Sequence, residues 1–369
     1  MRGTFTNLSR LLLASAVGVL GAAALTFVLD PLQLFRPSRL VSPFYSDETR
    51  MQNAGLIRSQ SFDTAFIGSS LAIHFRQSDI DRALGVQSLK LAMTGSNSRQ
   101  QGFVLEHAIG RGARRVIWEM DDWIFVDAPD IDADPYLSAD LYRGTTKGIA
   151  SYLFGAAMAK ESLFAVVRSI PPLRQSLTAA APFLPVKFAL SDVDDIYALP
   201  RDFDLARAYN AQRTFAAFAY ITDPVRSRFL GEGYGYDAMV RHLERDAVGL
   251  ISRHPDVTFD IYFPPYSILQ FVAMREASPA TLKIVYDFTA LIAQRLTQLP
   301  NVRLHDFRAI REVTHDLGNY GDVIHHSPAV DAKVLAWLAS GEYVVDPKTP
   351  LTSLDALKAQ VEAYRINQP

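Results

Sequence analysis

Two short segments carry side chains that could do chemistry together. Phe66-Ile67-Gly68-Ser69-Ser70-Leu71 closes an apolar run, and Gly321-Asp322-Val323-Ile324-His325-His326-Ser327 lies near the C-terminus. A serine at a strand-to-loop corner, with an Asp and a His three residues apart, supplies the parts of a nucleophilic triad. The serine attacks, the imidazole takes its proton, and the carboxylate holds the ring in the right tautomer. Asp-x-x-His spacing in a loop lets the carboxylate meet one ring N–H while the other nitrogen faces the serine. Taken alone, Gly68-Ser69-Ser70 also fits an ordinary turn with a helix cap, and Asp322 fits an N-cap before the last helix. Their conjunction is what points to acyl-group chemistry, with Ser70, His325 and Asp322 as the catalytic residues.

Acyl transfer also needs donors where the carbonyl oxygen becomes negative. The Ser70 backbone N–H is one, Gly95 is a second because glycine lets the backbone approach closely, and Asn97 offers a side-chain amide. Ser69, Asp121, Asp122, Tyr266 and His326 are expected to line the substrate. Asp121 and Asp122 could be read as a glycosidase pair, but neighbours at a strand end diverge. His325 and His326 make a poor metal pair, since adjacent side chains rarely aim at one ion. His74, four residues past Ser70, is the other histidine to watch. Gly231-Glu232-Gly233-Tyr234-Gly235 lacks the preceding strand of a phosphate-binding loop and reads as a hinge. No cofactor or metal is expected.

These residues need a frame. Phe62–Gly68, Val86–Met93, Arg115–Met120, Val257–Phe263 and Val302–Phe307 read as strands. Between them Ser98–Ile109, Tyr236–Arg253, Ala277–Leu296 and Pro328–Leu338 read as helices, the last with Pro at its first turn. A shorter helix is expected from an N-cap at Ser78 to Gly85. Alternating strands and helices imply a parallel sheet covered on both faces. In such sheets ligands bind beyond the carboxyl ends of the strands, where every candidate residue falls. The expected fold is therefore α/β, a flavodoxin-like three-layer sandwich of about five parallel strands. Between Val126 and Gly235 the rhythm breaks. Asp127, Asp130, Asp132 and Asp134 precede Ala/Phe/Leu-rich helical runs from Ile149 to Ala181, a mostly helical insertion expected to cover the site.

The chain has 369 residues, too many for one minimal core. Charged residues make up 21% and net charge is −2, which gives no electrostatic case for nucleic acid. There is no cysteine, which excludes thiol catalysis, Cys-ligated zinc and disulfides and suits an oxidising compartment. Leu11 to Leu29 contains no charged residue. At about 1.5 Å per residue, a helix over this run nearly crosses a hydrocarbon core of roughly 30 Å. Arg2 and Arg10 precede it and Asp30 follows, a slight bias toward a cytoplasmic N-terminus. Ala22-Ala23-Ala24 could end a cleaved signal peptide, but the apolar run continues beyond it, so a retained anchor is expected. Residues 1–40 are thus read as anchor and tether, and 41–369 as a catalytic domain interrupted at about 126–235.

At Gly68-Ser69-Ser70, Gly95 and Asp322-x-x-His325 the chain resembles the SGNH (GDSL-like) hydrolase superfamily. Asn319-Tyr320-Gly321-Asp322 with His326-Ser327 is similar to its membrane-anchored branch, related to proteins of alginate O-acetylation and lipoteichoic-acid D-alanylation. The resemblance spans Phe62 to about Leu338 outside the insertion. It departs in the third block, where Glu119-Met120-Asp121-Asp122 replaces Gly-x-Asn-Asp; the oxyanion-hole Asn is absent there, and Asn97 is the substitute. What the resemblance implies is a Ser-His-Asp O-acyltransferase acting on ester-linked acyl groups, acetyl above all, of a cell-surface or exported polysaccharide. It would sit in a bacterial inner membrane by one span, with its catalytic domain periplasmic and a multi-spanning membrane acyltransferase as a partner. The alternatives are a carbohydrate esterase and an inactive glycan-binding scaffold of a secretion complex.

Overall fold

β-Branched and aromatic runs become the strands of one parallel sheet in the computed structural model, which describes residues 2–37, 39–41, 49–134, 137–170, 205–227 and 230–366. The strands are β1 (Thr64–Ile67), β2 (Ser88–Lys90), β3 (Arg115–Glu119), β4 (Thr258–Phe263) and β5 (Val302–Asp306). Each is a residue or more shorter than the run that announces it. Their order is β2-β1-β3-β4-β5, and every pairing is parallel. Ala65 faces both Leu89 and Val116, and Ile261 faces both Trp118 and Leu304. β1, β2 and most of β3 to β5 are buried, as strands covered on both faces must be. The chain reverses its direction of travel across the sheet between β1 and β3, so a crevice forms beyond the carboxyl ends of those strands.

The helices used below are α1 (Arg2–Leu29), α2 (Thr49–Ser59), α3 (Ser70–Ile73), α4 (Gln77–Leu84), α5 (Ser98–Gly110), α6 (Thr146–Phe154) and α7 (Ala156–Ser169). Then come α8 (Ala211–Thr222), α9 (Tyr236–Leu243), α10 (Gly249–Arg253), α11 (Ile268–Ala277), α12 (Pro279–Leu296), α13 (Pro328–Ser340) and α14 (Thr352–Ala363). Arg76, not Ser78, takes the N-cap position of α4, while Gly85 closes it in the left-handed conformation with φ 65°. The helix expected over Tyr236–Arg253 contains one π-helical stretch, Glu244–Val248. It carries a buried carboxylate, Asp246, onto the Ser98 hydroxyl at 2.9 Å. α11 lies beyond the elements read from the sequence; Ser267 caps it, accepting the Leu269 N–H. α14 was also unforeseen.

The chain divides into two compact units. One comprises residues 1–60 and 134–200, the other 61–133 and 201–369. The segment read as one insertion is thus shared between them: α6 and α7 pack on α1 in the first, and α8 packs on α11 in the second. Of the helical runs expected from Ile149 to Ala181, the part from Pro171 onward lies outside the described residues.

In the first unit, Ser9–Leu29 is long and apolar enough to cross a membrane. Asp30 ends it with φ 45°, and its carboxylate accepts the N–H groups of Leu34, Phe35 and Arg36 at 2.8–2.9 Å and the Tyr152 hydroxyl at 2.9 Å. The Arg36 guanidinium reaches back to the Phe27 and Val28 carbonyls, two of the orphan acceptors at the helix end. Asp30 is therefore the pivot of the turn that follows the apolar helix, a role that flanking charge alone did not reveal.

In the second unit, Asp260 sits fully buried within β4, bracketed by Arg115 and Arg303 from the flanking strands, both at 2.6 Å.

Candidate active site

Ser70 follows β1 almost at once, as the first residue of α3, so its hydroxyl emerges where the strand stops and its N–H belongs to an unfinished helical turn. Hydrogen bonds brace the corner from two sides. The Gly68 carbonyl accepts the Met93 N–H at 3.0 Å and the Ser96 hydroxyl at 3.4 Å, tying it to the loop after β2. Ser69 donates its N–H and its hydroxyl to Glu119 Oε2, at 2.7 and 3.1 Å, tying it to the end of β3. A side chain at Gly68 would lie 2.5 Å from Glu119 Oε2 and 2.7 Å from Ala72 Cβ, so only glycine fits there. Gln101 completes the brace, donating to Ser96 Oγ at 2.9 Å and accepting the Trp118 indole N–H at 2.6 Å.

The opposing residues come from the loop between β5 and α13. Tyr320 and His326 pair across it, the Gly321 N–H reaches the His325 carbonyl at 2.9 Å, and the Ser327 N–H reaches the Asn319 carbonyl at 2.8 Å. Within this narrow loop Asp322 Oδ1 accepts the backbone N–H groups of Ile324 and His325, both at 2.8 Å, the self-bonding habit of an Asp in a turn. Asp322 Oδ2 lies 2.7 Å from His325 Nδ1, and His325 Nε2 lies 2.9 Å from Ser70 Oγ. A carboxylate at Nδ1 places the ring proton there and leaves Nε2 as the acceptor for the serine hydroxyl. Burial alone would raise the Asp322 pKa; the His325 ring and the two backbone donors outweigh it and bring it down to about 2. The loop is anchored by the buried Tyr320, whose hydroxyl donates to the Pro265 carbonyl at 2.6 Å, and by Thr214 of α8, whose hydroxyl donates to the Leu317 carbonyl at 2.9 Å.

Comparison with protein-family models, curated proteins and solved structures finds no match. The site is therefore described by its own geometry.

The remaining expected residues divide. Gly95, at φ 61°, is exposed at the end of β2 with open space about its Cα. Asn97 caps α5, its side-chain carbonyl accepting the Gln100 N–H at 2.9 Å, which leaves the amide nitrogen as its donor. Asp122, at the border of burial, accepts the Tyr234 hydroxyl at 3.0 Å, and Tyr266 donates its hydroxyl to Asp121. Three residues expected to line the substrate are buried and engaged by other side chains. Ser69 is occupied by Glu119, Asp121 is buried beneath Tyr266, and His326 is buried with Nδ1 3.0 Å from Asp331 and its ring edge-on to Phe75. The reason is geometric: consecutive side chains in a tight turn point in different directions, so Ser69 and Ser70, or His325 and His326, cannot share a face. His74 stacks on His325, with ring centres 6.3 Å apart and planes 17° from parallel. Burial, with help from His326, His325 and Lys90, lowers its pKa to about 4.

Glu119 was given no role in the sequence, and it holds Ser69, the neighbour of Ser70. It is fully buried, and its Oε1 has no hydrogen-bond partner among the described residues. Burial raises its pKa above the ordinary carboxyl range. Burial also raises Asp121 and Asp122, and the nearby Glu119 and Asp122 charges push Asp121 further. A carboxyl group inside the otherwise apolar run Arg-Val-Ile-Trp-Glu-Met was the signal available in the sequence.

Proposed function

We propose that this protein is a Ser-His-Asp acyl-group enzyme of the SGNH type, built on a flavodoxin-like three-layer sandwich. The observation that carries the reading is the unbroken chain from Ser70 Oγ to His325 Nε2 at 2.9 Å and from His325 Nδ1 to Asp322 at 2.7 Å, formed between groups 255 residues apart. In the first half-reaction Ser70 Oγ bonds to the acyl carbon as His325 takes the hydroxyl proton. His325 returns that proton to the departing oxygen as the ester bond breaks. In the second, His325 deprotonates an acceptor hydroxyl, which attacks the acyl-enzyme and frees Ser70. A sugar hydroxyl as acceptor gives O-acyl transfer; water gives hydrolysis. The N–H groups of Ser70 and Gly95, with the Asn97 amide, are the proposed donors to the oxyanion.

The acceptor polymer is proposed to be a cell-surface or exported polysaccharide, reached from an inner-membrane anchor at Ser9–Leu29 with the second unit in the periplasm. A multi-spanning membrane acyltransferase is the proposed donor partner. A fluorophosphonate probe tests the reading. The wild-type chain should be labelled, and Ser70→Ala should not, while Ser69→Ala keeps its label. Labelling that survives Ser70→Ala, or no labelling of folded wild type, rejects the triad.

A further inference from the structure

A cavity of about 450 Å³ opens beside the catalytic loop, and Asp322, Val323 and Ile324 form part of its wall. Its aliphatic lining comes from Ala217 and Ile221 of α8, Leu230, Val323 and Ile324. These side chains belong to the same apolar cluster as Leu71, the residue after Ser70. Four polar side chains of the wall, Asp122, Tyr234, Tyr266 and Asp322, are already engaged, and Trp123, Tyr220 and Gln270 complete its polar lining. Tyr234 donates to Asp122, Tyr266 to Asp121, and both oxygens of Asp322 are held by its own loop and by His325. A sugar ring placed there would bury hydroxyls against donors and acceptors that are already paired, which is unfavourable. An alkyl chain asks for no partner.

We propose that this cavity seats the alkyl chain of a medium-length acyl group whose carbonyl is presented to Ser70. The acyl group is then larger than the acetyl group expected from the sequence. If a methylene takes about the 30 Å³ share of a water molecule, an acetyl methyl would occupy a tenth or less of the space, while roughly eight to ten carbons would occupy more than half of it. The inference rests on Ser70 being the nucleophile. An oxygen ester and a thioester would present the same chain, so both are tested.

The full chain is reconstituted in nanodiscs, because a detergent tail would compete for the cavity. Hydrolysis of p-nitrophenyl esters and of N-acetylcysteamine thioesters is measured from two to twelve carbons. In each, Ser70 Oγ takes the acyl group, the nitrophenolate or thiolate leaves, and water releases the acid. We expect kcat/KM to climb, by up to about fourfold per methylene, to a maximum near eight to ten carbons. Whichever series carries the steeper climb identifies the carrier. Ala217→Trp should lower the octanoyl-to-acetyl ratio at least tenfold; if that variant does not fold, the wild-type profile decides. A flat profile, or acetyl as the best substrate, on a chain whose Ser70 is labelled by fluorophosphonate overturns the acyl-chain site and leaves the triad standing. No turnover at any length together with no labelling overturns both.

Discussion

Asp322, beyond β5, and the trio Glu119, Asp121 and Asp122, at the end of β3, meet the same end of the sheet in opposite surroundings. Asp322 is partly exposed, accepts two backbone N–H groups and faces an imidazole, and its pKa falls to about 2. The trio is buried and draws its hydrogen bonds mainly from neutral donors, the Ser69, Tyr266 and Tyr234 hydroxyls among them, and its pKa values rise. The same functional group is stabilised as an anion beside an imidazole in one place and pushed toward its neutral form by burial in the other. Environment, not residue type, assigns the role.

The largest effects should come from breaking the ionised side. His325→Ala should lower the chemical step by about 10⁴-fold or more, and Asp322→Asn by about 10³- to 10⁴-fold, measured as kcat in pre-steady-state acylation. Removing both should cost little more than His325→Ala alone, because the two act as one unit. Additive losses in the double variant would mean that Asp322 does not work through the imidazole.

Glu119 sharpens the other side. Glu119→Ala removes the acceptor of two Ser69 hydrogen bonds and leaves a buried void, so denaturant unfolding should show a loss of about 2–4 kcal/mol. Glu119→Gln keeps the acceptor and mimics the neutral acid, and should stay within about 1 kcal/mol of wild type. A Gln variant as damaged as the Ala variant would mean that Glu119 works as an anion, and the contrast with Asp322 would dissolve.

The pH dependence of stability should carry the same signature. A carboxyl whose folded pKa is raised contributes stability that is complete below the ordinary carboxyl range and is lost as pH rises through the folded value. Thermal midpoints should therefore fall on the alkaline side of that range, and Asp121→Asn or Asp122→Asn should flatten the fall. Asp322 has the reverse sign, its contribution being present above about pH 4 and lost as the pH drops toward 2.

The smallest effect should come from His74. Its pKa of about 4 means that the unfolded chain takes up a proton between pH 6.5 and 4 while the folded chain does not, so stability falls as pH falls through that window. His74→Phe should reduce that acid-side slope in thermal unfolding while retaining a flat ring against His325.

Much of this was legible before any coordinates. Five short runs alternating with helical stretches announced a parallel sheet, because strands linked through helices pair side by side in one direction. Their carboxyl ends gathered Ser70, Gly95, Asp121 and Asp322 because parallel sheets put all such ends on one side. Asp-x-x-His announced its own contact, since three residues in a turn bring the two side chains together. The Ser70–His325 bond was inferred from the parts but measured only in the fold, because nothing local fixes a distance across 255 residues. The same holds for Asp30 at the end of α1, for the three α8 residues on the cavity wall, and for the division of the segment after Val126 between two units.

What the sequence determined by itself was the alternation of elements, the apolar N-terminal helix and the residue types at the strand ends, since these follow from periodicity and local sterics. Only the tertiary structure brought Ser70, chosen over Ser69, within 2.9 Å of His325, chosen over His326. It also decided which carboxyls have their pKa lowered and which have it raised. Direction and desolvation are set by what packs around a side chain, and that is contributed by residues far away along the chain.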